Sequence, residues 1–590
     1  GRMAWVDLAQ RIAGVPVFAG EIRGGFDADG RLVQVRSNIL PAVKPTSLLA
    51  LPTDAEPAIR AAAAAIGRRV TPKPLQRVER SADGLKQTFE RAEFADQIVA
   101  DAIVFPLSPG QGRMAWRVLL WEEMDAWYVI VDASSGELLW RRNITAYQTQ
   151  LATYRAYPGE NPAPLVPGPI APNGSQVGLA SPVSYSLIGN EGLTSFNNLG
   201  WITDGGNTTD GNNAEAGLDR DGINGVDAAG KPVSAGRVFV YTYNPSPGSP
   251  PPGSEPLSGA PPLTDFQRGS ITNAFYWANR FHDAVYQLGF NEQARNFQHD
   301  NFGRGGVSGD RLSIEVQDSA GTNNANFSAP ADGTRGRLQL FVWTGPTPDR
   351  DSALDRSVMV HELAHGVSRR LIGNGAGLGG TYGSSLDEGW SDFFALTLFA
   401  TPAEPTTANY ALAAYSAYFL TAGFADNNFY GIRRFPYAIF SVTGGPMNRP
   451  FAPQTFADFF PAQLNLSDGA YPPAPRGDAT SQSRGEIWAL ALLEARARLI
   501  ARLGYVQGNQ RMLQFVVDGI KLSPLNPDFI QARDALLAAA SAGGTAQDVA
   551  DVCTGLAVRG LGSSASSTLT SVVESFTCTS DVIFINGFDG

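Results

Sequence analysis

The spacing of apolar and polar residues divides the chain into a strand-patterned front and a helix-patterned back. Residues 15–18 running on to 21–23, and then 32–35, are apolar-rich runs separated by Asp27-Ala28-Asp29-Gly30, which reads as strand, turn, strand. Residues 55–68 are alanine-rich and read as helix. Residues 114–120, 127–131 and 138–142 read as a meander whose turn is Asp132-Ala133-Ser134-Ser135-Gly136. An amphipathic helix is predicted over 266–288, and strands over 313–317, 323–327 and 337–343. Beyond residue 351 the period is helical, with helices predicted over 388–399, 407–420, 486–503, 510–522 and 528–541. Strands and helices that segregate in this way predict an α+β fold.

The first of the back helices carries His361-Glu362-Leu363-Ala364-His365. Ser352 or Asp351 is expected to cap it, Gly373 to end it, and Val360, Leu363, Ala364 and Val367 to form its apolar side. Histidines four apart on a helix share one face, one turn apart, where both imidazoles reach one Zn²⁺. A catalytic zinc takes a third protein ligand and keeps one position open. No histidine follows His365, so a carboxylate is expected, and Glu388 is the best candidate. Asp392 lies four residues after Glu388, where it can accept a ring N–H from a ligand histidine, and Asp387 is the other carboxylate assigned to such support. Glu362 is poorly placed to ligate beside His361 and well placed to take a proton from an attacking water. On its own the five-residue motif reads equally as chance.

Composition narrows the setting. A chain of 590 residues exceeds one core, so several domains are expected. The hydrophobic fraction of 43% marks a folded protein, and the formal net charge of −11 argues against nucleic acid as a partner. No run of 18 apolar residues occurs, so no membrane span is expected. Cys553 and Cys578, 25 apart, fit one disulfide in an exported protein; two free thiols are the other reading. The opening Gly1-Arg2-Met3-Ala4-Trp5 shows no signal peptide and resembles the inside of a domain, so the first domain is expected to begin upstream. Asp219-Arg220-Asp221-Gly222-Ile223-Asn224-Gly225-Val226-Asp227 alternates oxygen donors with glycine, which suits calcium. It also suits a turn cluster with solvated side chains, the reading the sequence favours. His282-Asp283 reads as a structural pair.

The motif set as a whole resembles the fungalysin family of thermolysin-like zinc metalloendopeptidases. The resemblance rests on His361-Glu362-Leu363-Ala364-His365-Gly366 and Asp387-Glu388-Gly389-Trp390-Ser391-Asp392-Phe393-Phe394-Ala395. It rests also on Phe275-Tyr276-Trp277-Ala278-Asn279, Asn324-Ala325-Asn326-Phe327 and Gly431-Ile432-Arg433. It implies a secreted peptidase with a β-rich lobe (146–350) and a helical lobe (351–545) meeting at a zinc cleft. A strand-rich prosegment (1–145) would precede them and a disulfide-closed extension (546–590) would follow. The prosegment would inhibit the enzyme until cut near 145–151, although a binding domain retained in the mature protein is the other reading. The resemblance gives Asn324 and the backbone of Ala325 the role of holding peptide substrates, and Arg433 that of binding the carbonyl near the scissile bond. Spacing alone reads Arg433-Arg434 equally as a surface pair.

One position breaks the pattern. The family places an oxyanion-stabilising histidine shortly before a helix start that is here Gly485-Glu486-Ile487-Trp488, and the matching residue is Gln482. A neutral amide donates a hydrogen bond without an imidazolium's charge. Tyr382, Arg433 or Arg484 are candidates to compensate. The departure keeps a second reading open, a zinc-binding scaffold with little activity; an intact Glu362 argues against it.

Overall fold

A computed structural model of the chain describes residues 4–26, 31–41, 53–122, 126–144, 150–157, 181–187, 201–203, 205–243, 262–345, 349–417, 431–444, 450–460 and 480–578. The anticipated turn at 27–30, most of the expected cut region at 145–151 and the tail from 579 lie outside these residues. The chain divides into two compact units, Gly1–Ala146 and Tyr147–Gly590.

The first unit is a nine-stranded sheet with one helix. Its strands are β1 (Ala4–Ile12), β2 (Val15–Phe26), β3 (Leu32–Ser37), β4 (Arg77–Arg80), β5 (Lys86–Phe89), β6 (Ile98–Ser108), β7 (Gln111–Trp121), β8 (Ala126–Asp132) and β9 (Leu138–Asn143). The main path runs β1-β2-β6-β7-β8-β9, with β3 paired to β2 and the β4-β5 hairpin paired to β6. Helix α1 (Glu56–Ala65) lays Ala58, Ile59, Ala62 and Ala63 over Trp116, Val118, Val129 and Val131. Small alanines let the helix approach the sheet closely, and the larger sheet residues fill the layer.

In the second unit, β10 (Ala152–Ala156) stands between β11 (Val183–Leu187) and β13 (Val238–Phe239). A four-stranded sheet runs β12 (Ala214–Leu218), β14 (Leu312–Val316), β16 (Arg337–Leu340) and β15 (Ala325–Ser328). The first three are parallel, and β15 closes one edge antiparallel to β16, with Ala325 opposite Leu340. Helix α2 (Asp265–Gln287) is started by a capping box between Thr264 and Gln267 and packs against β10, β12 and the next helix. Helices α3 (Arg356–Leu371), α4 (Gly380–Thr397), α5 (Ser481–Leu503), α6 (Tyr505–Leu522), α7 (Phe529–Gly543) and α8 (Ala546–Val558) form the helical half. Helix α8 opens the segment expected as an extension; it packs on α5 and α7, and Cys553 on it is bonded to Cys578. No helix among the described residues is long and apolar enough to cross a membrane.

Three local expectations are corrected. The cap of α3 is Asp355, which accepts from Ser357 N–H at 3.1 Å, whereas Asp351 caps a separate short 3₁₀ turn, Ser352–Leu354. The helix expected over 407–420 is absent from 407–417, which form turns and isolated bridges. There the amides of Ala413 and Ser416 donate to Ser357 Oγ and Asp355 Oδ2, and Ala413 is left-handed at φ 55°. Those donors are therefore unavailable to an intrahelical ladder. Finally, α4 begins at Gly380 and α5 at Ser481, so Gln482 lies within a first turn and not ahead of it.

Candidate metal centre

Helices α3 and α4 pack together and bring two imidazoles against one carboxylate. His361 and His365 stand one turn apart on α3, with ring planes at 90° and Nε2 atoms 3.2 Å from each other. Glu388, in the third turn of α4, places Oε2 3.3 Å from His361 Nε2 and Oε1 3.9 Å from His365 Nε2. Ligand bonds of about 2.0–2.1 Å at tetrahedral angles give ligand–ligand edges of about 3.3–3.4 Å. The two shorter edges, 3.2 and 3.3 Å, match that spacing and the 3.9 Å edge is longer; the donor types suit a divalent metal such as zinc.

Each histidine is held from behind. His361 Nδ1 is 2.7 Å from Asp392 Oδ1, and His365 Nδ1 is 2.9 Å from Asp387 Oδ2. Asp392 also accepts from Arg433 through Nε and Nη2, both at 2.7 Å, and from the Tyr437 hydroxyl. Asp387 accepts from Arg369 Nε at 2.8 Å and from the Ser368 hydroxyl. With Nδ1 occupied in each ring, Nε2 is left to face the centre.

The electrostatics follow. Burial opposes the charge on Asp387, but His365, Arg369 and Ser368 hold its carboxyl down at about 2. Burial likewise disfavours the Asp392 carboxylate, and Arg433 and His361 outweigh it, so that Asp392 is held well below the usual range. Burial lowers His361, yet Asp392 and Glu388 raise it to about 10. A metal must therefore displace protons, and its binding weakens as pH falls. Glu362, only 8% exposed, has no side-chain hydrogen-bond partner among the described residues, and burial pushes its carboxyl up.

Gln482 reaches this centre, because its Nε2 donates to Glu388 Oε1 at 3.2 Å. Two glycines make that approach feasible. A Cβ on Gly389 would stand 2.6 Å from Gly485 O, and one on Gly485 would stand 2.8 Å from Glu388 Cβ, so α4 and α5 cross backbone to backbone. Arg433 is also present, only 4% exposed, with Nη2 3.7 Å from Glu388 Oε2. Its burial removes the surface-pair reading.

Tyr382 and Arg484 are not brought to the centre. Tyr382 stacks on Phe459 at 4.4 Å and donates its hydroxyl to Thr568 O at 2.6 Å, while Arg484 Nε donates to Phe459 O at 3.0 Å. Both are drawn to the aromatic layer under the C-terminal turn. Asn324 is exposed beside the edge strand β15, whose Phe327 packs near Gly366 of α3. His282 pairs with Asp283 at 3.0 Å and with Gln298 at 3.1 Å. Sequence reasoning missed Tyr437, Ser368 and Arg369. Only Ser368 and Arg369 carried a cue, lying three and four residues after His365 on one helix.

A second acidic group lies in the β-rich half. Asp219, Glu315 and Asp318 offer carboxylate oxygens within 4.8 Å of one another, and so do Asp219, Asp221 and Asp227. The turn contacts are also there: Asp221 accepts from Ile223 N–H at 2.7 Å, and Asp227 from Arg220 N–H at 2.9 Å.

Two histidines one turn apart, a carboxylate from the following helix and a buried glutamate beside the first histidine are the donor types that metal-dependent hydrolases use. The sequence profile of the Fungalysin metallopeptidase (M36) family matches residues 175–565, and the chain belongs to that family. It is 32% identical over 491 residues to an extracellular metalloproteinase of Fusarium vanettenii, covering 80% of this chain and 67% of that protein. The corresponding protein of Pyricularia oryzae is 32% identical, covering 77% of this chain and 64% of that one. That of Aspergillus terreus is 29% identical, covering 95% and 82%. The chain thus spans about two thirds of the length of the first two relatives.

Proposed function

We propose that this chain is the precursor of an extracellular zinc-dependent endopeptidase. The observation that carries the reading is the convergence of His361, His365 and Glu388 beside an unpartnered Glu362. Zinc, when bound, supplies Lewis acidity toward the scissile carbonyl and acidifies the attacking water. His361 and His365 present Nε2 because Asp392 and Asp387 fix their tautomers. Glu362 accepts the water proton on its carboxylate and delivers it to the leaving amine. The exposed edge at β15 adds the substrate as a further strand, with Asn324 and the Ala325 backbone as its contacts. Arg433, which stands beside Glu388, is given the substrate carbonyl near the scissile bond. An inactive scaffold is the weaker reading, since metal binding alone gives no reason for a buried, unpartnered Glu362.

Substituting the ligands tests the assignment. His361→Ala, His365→Ala and Glu388→Ala are each expected to lose stoichiometric zinc in metal analysis. Retention of one zinc per chain by Glu388→Ala would remove Glu388 from the ligand set.

The first unit is assigned as the prosegment, an intramolecular inhibitor, and the boundary near Ala146 is where the cut belongs. Limited proteolysis there is expected to raise casein hydrolysis severalfold. Equal rates before and after cutting would leave the unit without an inhibitory role.

Calcium is the second ion of the reading. Its support is the burial of Asp219 and Glu315 beside Asp318, where burial and neighbouring carboxylates raise Asp219 to about 6, and burial raises Glu315 to about 8. Calcium is expected to raise the thermal midpoint of zinc-loaded protein, and a titration without that rise would leave the loop a plain turn.

A further inference from the structure

The Tyr437 hydroxyl is a contact on Asp392 that neither the motif nor the metal chemistry requires. Tyr437 is buried, and its backbone pairs with Tyr410 across an isolated bridge, so the backbone that carries the side chain is anchored outside the centre. Its hydroxyl donates to Asp392 Oδ2. The same carboxylate receives Arg433 Nε on Oδ2, and His361 Nδ1 and Arg433 Nη2 on Oδ1. All four acceptor directions of a carboxylate are thus used. A carboxylate held on both oxygens cannot rotate about its Cβ–Cγ bond without breaking several buried hydrogen bonds.

The second histidine offers an internal comparison. Asp387 is likewise held by one arginine and one hydroxyl, Arg369 and Ser368. The side chain of Arg369 is 36% exposed, against 4% for Arg433. Ser368 Oγ also lies 3.2 Å from the carbonyls of Ala364 and His365, acceptors of its own helix. The clamp on His361 is the drier and the more fully committed of the two.

We propose that Tyr437 is a positioning residue for the metal centre: its hydroxyl fixes Asp392, and Asp392 fixes the ring of His361 with Nε2 toward the metal. The proposal rests on His361 being a metal ligand. It adds that ligand orientation on this side depends on a residue 45 positions from Asp392, on a different segment.

The test is Tyr437→Phe in the full chain, a change that keeps the buried ring and removes one oxygen. Zinc affinity by chelator competition is expected to fall about 10-fold, the lower end of the range for groups that orient a metal ligand. The visible spectrum of the cobalt(II)-loaded protein is expected to shift. Ser368→Ala is expected to change the affinity less. In the Asp392→Asn background Tyr437→Phe is expected to add nothing, since the carboxylate it acts through is gone. Should Tyr437→Phe fail to fold, 3-fluorotyrosine at 437 keeps ring and hydroxyl while making the donor more acidic, and it is expected to move the cobalt spectrum. Parental affinity and spectrum in the Phe variant, an unmoved spectrum with fluorotyrosine, or an equal loss in the Asp392→Asn background would each overturn the proposal. Stoichiometric zinc in His361→Ala would instead overturn the ligand reading beneath it, so the two failures are distinguishable.

Discussion

Glu362→Gln is expected to keep its zinc and to lose peptide hydrolysis by about 10²–10⁴-fold, the usual contribution of a positioned general base. Glu362 follows His361 directly, so on a helix it points about 100° away from the ligand face and cannot join the same coordination shell. It is buried without a side-chain hydrogen-bond partner among the described residues, so its proton affinity is set chiefly by desolvation. Glutamine has nearly the same shape and leaves packing and metal ligands in place. What it lacks is a site for the proton. The sign of the pH dependence follows. A base must be ionised to act, so kcat/KM is present above its pKa and is lost as pH falls through it. Since burial raises that pKa, the acidic limb should lie above the ordinary carboxylate range. Metal analysis and kcat/KM on the same preparation check both halves. Loss of zinc in the glutamine variant would make Glu362 a ligand, and retention of a tenth or more of parental activity would assign the proton transfer elsewhere.

Much of this centre was legible because its parts are local in sequence. His361 and His365 are four residues apart, as are Glu388 and Asp392, each about one helical turn, so two short motifs contain the metal donors and both supporting carboxylates, Asp387 and Asp392. Strands β2, β3, β7, β8 and β9 of the first unit were legible for a similar reason, as short apolar-rich runs separated by turn residues; β1, β4, β5 and β6 were not anticipated. What the sequence did not reveal depends on groups far apart in the chain. The helix expected at 407–420 has the composition for one, but Asp355 and Ser357, at the start of α3, capture its amides. Tyr382 sits early on the helix that bears Glu388, and its sequence position gave no hint that the aromatic layer of Phe459 and Phe529 draws it away. Tyr437 lies in a loop without periodicity, so its approach to Asp392 follows from the fold alone.

Gln482→His is expected to raise turnover, by up to about 10²–10³-fold where chemistry limits the rate, because that is what one well-placed donor to an oxyanion contributes. The hydrolytic intermediate carries an oxyanion that the metal stabilises only in part, and a second donor must approach from another wall of the cleft. The structure places residue 482 in the first turn of α5, on the helix that crosses α4 backbone to backbone at Gly389 and Gly485. From there its amide reaches Glu388 Oε1 at 3.2 Å, so the position opens onto the centre. As an amide engaged with a ligand carboxylate, Gln482 offers a neutral hydrogen bond and no charge. Gln482 is exposed, and an imidazolium at the same place adds a full positive charge beside the Glu388 carboxylate, where the neutral amide adds none. Tyr382 and Arg484, the other donors considered, are committed to Thr568 and Phe459. Gln482→Ala should therefore lower turnover, and should also loosen Glu388, which loses its one side-chain amide donor. The readout is kcat with zinc saturating, measured on the cut enzyme for all three forms. A glutamine enzyme that already matches its histidine variant, with the alanine form unchanged, would mean that residue 482 does not face the oxyanion. Arg433, held within 3.7 Å of Glu388, would then be the group to test next.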